Sequence, residues 1–166
     1  MLELINKYYD DEKSGFVFVL LAGVIFLLLG TLLWLKFCTS DPLSKGFGIG
    51  LVIVGIVLII ASFSTRYYND KKIENIATRK DESEIQLQQS EIQRMNKVMN
   101  ITYRYAFITF ATLIIGLTIS VVISKSYYWK GLAIAFILLA LFVLIVDIYS
   151  SKRNREYLNT VKNLKL

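Results

Sequence analysis

The chain has 166 residues, of which 55% are hydrophobic and 19% charged, and its formal net charge is +6. Such a composition is too apolar for an ordinary soluble domain of this length. Histidine is absent and Cys38 is the only cysteine, which excludes a histidine general base, a thiolate metal cluster and a disulfide within the chain.

The apolar residues are grouped into four long runs. Uncharged segments occupy residues 14–35, 46–65, 105–124 and 131–146, and the last continues past Asp147 to Ser150. About 20 apolar residues in a helix cross the roughly 30 Å hydrocarbon layer, and lipid requires every backbone polar group to be satisfied within the segment. The first run is too long for the apolar part of a secretory signal. The sequence therefore predicts an all-α polytopic membrane protein with four transmembrane helices, arranged as two tandem hairpins with a cytoplasmic helical hairpin extension between the second and third spans.

The basic residues predict the orientation. Fifteen of the 19 Lys and Arg residues lie in segments 1–13, 66–104 and 151–166, and only four lie near the two short loops between spans. The positive-inside rule then places both termini and the central segment in the cytoplasm, as expected for a bacterial inner-membrane protein. The net charge is accounted for by topology and by attraction to anionic lipid, so we expect no nucleic acid partner.

The second and fourth spans resemble each other at a constant offset of 85 residues. Gly46 aligns with Gly131, Gly50 with Ala135 and Gly55 with Ala140, while large aliphatic residues fill the positions between them. Both hairpins would begin and end on the same side, so the pattern predicts a parallel internal repeat. The alternative is that any two spans rich in Leu, Ile and Gly look alike.

Small residues within the spans predict close helix packing. Gly46 and Gly50, like Gly131 and Ala135, are four residues apart and lie on one helix face, and in the first span Gly23 and Gly30 are seven apart. Such faces let another backbone approach closely in lipid.

The third span carries the most polar surface in the four runs. Thr109, Thr112, Gly116 and Ser120 follow one another at spacings of three, four and four residues, which places them on one face. Tight helix packing with hydroxyls bonded to their own backbone is the first interpretation, and the lining of a narrow path is the second.

The central segment, 66–104, contains neither Gly nor Pro and is rich in helix-forming polar residues. We expect the second span to extend to about Ala77, and a new helix to begin near Ser83. Two capping-box spacings support that break, Ser83 with Gln86 and Asp81 with Glu84. The second helix should continue into the third span and carry an apolar seam that packs within one subunit or between subunits, formed by Ile85, Ile92, Met95 and Met99.

The tail after the fourth span is basic and amphipathic. Leu158, Val161 and Leu164 recur at spacings of three, after a basic cluster that begins at Lys152. This pattern predicts a short helix that lies on the inner leaflet, with a partner-binding helix as the alternative.

One acid, Asp147, lies within a span, about one turn from its cytoplasmic end. Intramembrane ionisable residues are functional candidates, and Arg104 enters the third span at a similar level. We therefore predict that an Asp147–Arg104 ion pair fixes the second hairpin. No phosphate loop, dinucleotide fingerprint or nucleophile elbow occurs, so we expect no enzymatic activity and no cofactor or metal.

Three function classes remain. We expect a non-catalytic membrane protein that binds a partner, either another membrane or cytoplasmic protein, as accessory or immunity components of bacterial defence, competition or secretion systems do. A homo-oligomeric pore and a small dimeric transporter are the second and third predictions. The predicted organisation is a cytoplasmic N-terminal segment (1–14), a transmembrane hairpin (15–65), a cytoplasmic helical segment (66–104), a second hairpin (105–150) and the tail (151–166).

Overall fold

A computed structural model describes residues 1–37, 41–77 and 83–164 of the chain. Cys38 and Asp81 lie outside these residues. The described part contains no strand, and its residues Val98–Thr102 form a π-helical turn. Its α-helices are α1 (Leu2–Phe37), α2 (Pro42–Ala77), α3 (Glu84–Lys97), α4 (Tyr103–Ile123) and α5 (Tyr127–Asn163).

Four helical segments are long and apolar enough to cross a membrane, which confirms the expected all-α membrane protein. They cover 34, 34, 40 and 37 residues. Because about 20 residues suffice for the hydrocarbon layer, each helix also projects well beyond it. The projections all lie at the end where most Lys and Arg residues occur, and we call this the basic end of the molecule.

The boundary between α2 and α3 lies where the sequence places it. The helix α2 ends at Ala77, and Ser83 caps α3 by accepting a hydrogen bond from the backbone of Gln86, whose side chain accepts one from the Ser83 backbone. This reciprocal capping box is therefore confirmed. The π-helical turn then joins α3 to α4, and the Tyr103 N–H donates to the Val98 carbonyl across it.

The spans are arranged in the spatial order α1, α2, α5, α4. The helix α2 packs against both α1 and α5, whereas α4 packs mainly against α5. The two helices therefore differ in burial. In α2, 44% of the most apolar window is buried, whereas none of the corresponding window of α4 is buried.

The helix extensions at the basic end pack together into a small bundle that we call the head. It consists of residues 1–13 of α1, 66–77 of α2, all of α3 and 151–163 of α5. The tail therefore forms no separate helix on a membrane surface, because α5 continues through it without a break. Its apolar face is buried in the head instead, with Leu158 7% and Val161 0% exposed.

Candidate binding surfaces

Glycines bring α1 and α2 into direct backbone contact. A Cβ atom built on Gly30 would lie 2.7 Å from the Gly48 carbonyl oxygen, and one built on Gly55 would lie 2.7 Å from the Gly23 carbonyl oxygen. Any side chain at these positions would collide with the neighbouring helix. Backbones that approach this closely gain dispersion contacts, the main attraction available between helices in lipid.

A second crossing joins α2 to α5 at the end opposite the head. A methyl group at Gly46 would overlap the carbonyl of Tyr128, and one at Gly131 would overlap the carbonyl of Leu43. The two contacts are reciprocal, because Leu43 and Tyr128 each lie three residues before the glycine of their own helix. One turn further along, Gly50 lies against Ala135, and Ala140, the counterpart of Gly55, is fully buried.

The polar face of α4 points away from the rest of the molecule. Thr109, Thr112, Gly116 and Ser120 are all exposed, and we call them the outer stripe. Among the nine glycines of the chain, all of them described, only Gly116 would place an added Cβ atom in open space. The stripe therefore lines no path inside this chain, and it packs against none of its other described helices.

The head contains the principal hydrophobic core of the described residues. Three helices supply it, α1, α3 and α5, and the rings of Tyr8 and Tyr157 stack with centroids 4.1 Å apart. Burial raises the pKa of both tyrosines, which lie outside the four apolar runs. The buried members of this core are Ile5, Tyr8, Tyr9, Met95, Tyr157, Leu158 and Val161.

A buried carboxylate organises this core. Glu91, 5% exposed, accepts hydrogen bonds from Arg94 Nε at 2.8 Å and from the Tyr157 hydroxyl at 3.0 Å. The Arg94 guanidinium also lies over the Tyr9 ring, 5.6 Å from its centroid. Removing the carboxylate would leave a poorly solvated cation without its partner, so this pair holds α3 to α1 and α5.

A second polar link connects the head to the start of α4. Asn154, 2% exposed, accepts a hydrogen bond from the Tyr8 hydroxyl at 2.7 Å and donates one to the Tyr103 hydroxyl at 2.7 Å. Gln88 donates to the Val161 carbonyl at 2.7 Å, near the end of α5, where helix carbonyls lack partners. The three helices that supply the core of the head, α1, α3 and α5, are thus joined by polar as well as apolar contacts.

The apolar seam of α3 packs within the chain. Met95 is fully buried, while Ile92 and Met99 pack at the edge of the core and Ile85 is 55% exposed. The centre of the buried face is Leu87, Glu91 and Met95, at spacings of four residues. The sequence pattern does not single out Glu91, because a charged residue interrupts the apolar periodicity of the helix. The signal for it is its spacing of four residues from both Leu87 and Met95.

Arg104 and Asp147 line one groove of about 440 Å³ between α4 and α5, together with Tyr103, Phe107 and Leu144. No ion pair joins the two charged side chains within the described residues, and the Arg104 side chain is exposed. The two residues thus share a level and a groove but lack the direct bond expected from the sequence.

Asp147 also faces a cavity of about 210 Å³ between α1, α2 and α5, at the level where the spans meet the head. Glu12, Ser62 and Arg153 line the same cavity. The Ser62 hydroxyl donates to the Phe16 carbonyl at 3.1 Å, which ties α2 to α1 beside it. We call this space the inner cavity, and its lining combines two carboxylates, a guanidinium and a buried hydroxyl.

Arg153 is the second residue whose position the sequence pattern does not single out, since it is one of several basic residues in the tail. Its Nη1 donates to the Asp11 carbonyl at 2.9 Å, and its Nε is buried without a hydrogen-bond partner among the described residues. The guanidinium lies against Gly15, where an added Cβ atom would be 3.9 Å away.

Comparison of the chain with protein-family models, with curated proteins and with solved structures gives no match.

Proposed function

We propose that this protein is a non-catalytic membrane protein that works by binding another protein inside the bilayer, and that the outer stripe of α4 is its binding face. Small and hydroxyl side chains on a helix promote association in lipid, because they allow close backbone approach and interhelical hydrogen bonds. The proposed occupant is a transmembrane helix of a different protein with a small-residue face of its own.

The observation that carries the proposal is the open position at Gly116. The glycines at the two crossings described above, in α1, α2 and α5, lie against a neighbouring helix, whereas Gly116 has nothing within 4 Å of its added Cβ position. The surrounding hydroxyls of Thr112 and Ser120 make no side-chain hydrogen bond to any described residue. A face built like the crossings, but left uncovered, fits a partner helix better than lipid tails.

The same geometry favours binding over a pore. A ring needs two different contact faces on each subunit, whereas a single stripe that pairs with itself closes as a two-fold dimer. The exposed face of α1 offers no second small-residue stripe, since large aliphatic residues such as Leu21, Leu28 and Leu32 occupy it. A path between several subunits therefore has less support than a pairwise contact.

We further propose that the head lies in the cytoplasm of a bacterial cell. The positive-inside rule supports this placement, since the basic end carries most Lys and Arg residues. A rigid cytoplasmic head and a membrane-embedded binding face suit an accessory or immunity component that recognises a membrane protein.

The internal duplication belongs to the same proposal. The offset of 85 residues that aligns the second and fourth spans also relates the reciprocal contacts of Gly46 with Tyr128 and Gly131 with Leu43. Two equivalent helices that cross about a pseudo-two-fold axis along the membrane normal would make such contacts. This supports two tandem hairpins derived from one ancestral hairpin.

Site-specific photo-cross-linking in native membranes tests the binding face. A photoreactive residue at Thr112 is expected to give one protein adduct of defined mass, and the additional substitution Gly116→Leu should remove it. The matched control is a photoreactive residue at Thr118, which is also exposed but lies roughly 160° around the helix from Gly116.

The masses distinguish the alternatives. A series of adducts at three or more multiples of the chain's own mass, or equal labelling from Thr112 and Thr118, would overturn the pairwise contact at this face. An adduct of two identical chains would contradict the proposal that the partner is a different protein, and it would favour a homodimer. Subunit counting in lipid nanodiscs by native mass spectrometry then tests a pore directly, since a closed ring of several copies would contradict the proposal.

A further inference from the structure

A second groove lies at the membrane boundary of the head, between α1 and α5, and is open on one side. Its volume is about 430 Å³. Phe18 and Ile145 line its deeper part, within the apolar runs, and both are more than half exposed, as expected for side chains that face lipid. Ser150 and Arg153 line its shallow part, where α5 leaves its apolar run.

The groove is amphipathic along the membrane normal, and Arg153 is the only charged residue in its lining. The carboxylates of Glu12 and Asp147 line the inner cavity instead, on the other side of the guanidinium. An anion in the groove would therefore meet a cation and a hydroxyl without a carboxylate in the lining itself.

Arg153 has unused donor capacity at this point. A guanidinium carries five N–H donors, of which the Asp11 carbonyl takes one; Nε is buried without a partner among the described residues, so the donors left for a ligand are the remaining N–H groups of the two Nη atoms. Phosphate oxygens match this fork, and charge-assisted hydrogen bonds to them are roughly twice as strong as neutral ones. Gly15 leaves the space beside the guanidinium free of a side chain.

We propose that this groove binds one anionic phospholipid of the leaflet at the basic end, with the lipid phosphate on Arg153 and an acyl chain along Phe18 and Ile145. A free phosphate ion would offer Arg153 the same phosphate group as a lipid does. The apolar part of the groove, formed by Phe18 and Ile145, is what selects a lipid. This inference does not depend on the binding face of α4, which lies on another helix.

Native mass spectrometry of the purified protein with added phosphatidylglycerol or phosphatidylcholine tests the site. Wild type should retain one phosphatidylglycerol per chain in preference to phosphatidylcholine. Arg153→Gln should weaken that binding by about tenfold, the effect expected for losing one charge-assisted contact. Arg155→Gln, an exposed residue two positions away with the same loss of charge, should leave it unchanged.

A second pair of variants separates loss of the site from loss of the fold. Ile145→Trp fills the floor of the groove without touching the Asp11–Arg153 bond and should also weaken lipid binding. Ile148→Trp, whose residue is exposed and lines the groove beside Arg104 instead, should not.

Three results would overturn the proposal. Equal losses in Arg153→Gln and Arg155→Gln would mean attraction by surface charge alone. Equal retention of the two lipids would mean that the phosphate of an anionic headgroup is not selected. Displacement of the lipid by inorganic phosphate, together with full binding to Ile145→Trp, would assign the site to a free phosphate.

Discussion

The helix pairs α1–α2 and α4–α5 use small residues differently. In the first, Gly23 and Gly30 of α1 lie against Gly55 and Gly48 of α2, so both helices contribute to one tight crossing. In the second, Gly116 of α4 faces open space and α4 rests on α5 with another face. The glycines of the α1–α2 pair are therefore covered by neighbouring helices, whereas Gly116 in the α4–α5 pair is left open.

This difference shows that a small-residue face stabilises the fold in lipid only where another helix packs against it. Association between helices there depends on packing rather than on expulsion of water, so a glycine without a neighbour makes no contribution to the fold. The helix α4 is held mainly by α5 and by its continuity with α3 in the head. Its free face remains available for a partner, whereas the faces of α1 and α2 are already used.

The largest expected effect comes from separating α3 from the head. Glu91→Ala should lower the free energy of unfolding by about 3 kcal/mol, because Arg94 would keep a mostly buried charge without its partner. Since α4 depends on that anchorage, hydrogen exchange should rise in α4 more than in α1 and α2. Gln93→Ala, at an exposed position of the same helix, is the control. Equal protection from hydrogen exchange in the α1–α2 and α4–α5 pairs of the variant would contradict the difference between the two pairs.

The matched glycine pair should show an intermediate effect. Gly30→Ala should lower the free energy of unfolding by about 2 kcal/mol, since its methyl group would press on the α2 backbone. Gly116→Ala should change it by less than about 0.5 kcal/mol, as at an open surface position. Reversible unfolding in detergent micelles measures both, and similar losses in the two variants would show that α4 has a neighbour at Gly116.

The smallest expected effect is a dependence on alkaline pH. The pKa of Tyr157 is raised by burial above its ordinary value of 10.0, and Glu91 raises it further. Stability should therefore be constant up to about pH 10 and fall above it, where the unfolded tyrosine loses its proton while the folded one keeps it.

The expected slope is at most about 1.4 kcal/mol per pH unit for each such tyrosine. The free energy of unfolding should differ less between pH 9 and pH 11 in Tyr157→Phe than it does in wild type. An unchanged difference in that variant would show that the buried hydroxyl has no part in it.

Much of the fold could be predicted from the sequence because its signals are local. Uncharged runs define the four apolar helices, and the Ser83–Gln86 spacing defines where α3 begins. The course of the tail could not be predicted in the same way. An apolar face with Leu158 and Val161 is equally suited to a membrane surface or to a protein core, and only the distant residues Ile5 and Tyr8 decide between them.

The candidate surfaces show the same limit. The spacing of Thr112, Gly116 and Ser120 places them on one face, but periodicity contains no information on whether that face points inward or outward. Arg153 was one of three basic residues in a short cluster, and its special position depends on Gly15 of a helix far away in sequence. The sequence pattern does not show which segments far apart in the chain come into contact.

The core of the head joins two parts of the chain that are made at very different times. Tyr8 and Asn154, which bond to each other, are separated by 146 positions, and every span lies between them. During synthesis, all four spans leave the ribosome before α5 supplies Tyr157, Leu158 and Val161 to that core. A nascent chain that stops at the end of the fourth span would be inserted but would expose the apolar faces of α1 and α3, a state that cellular proteolysis is able to recognise.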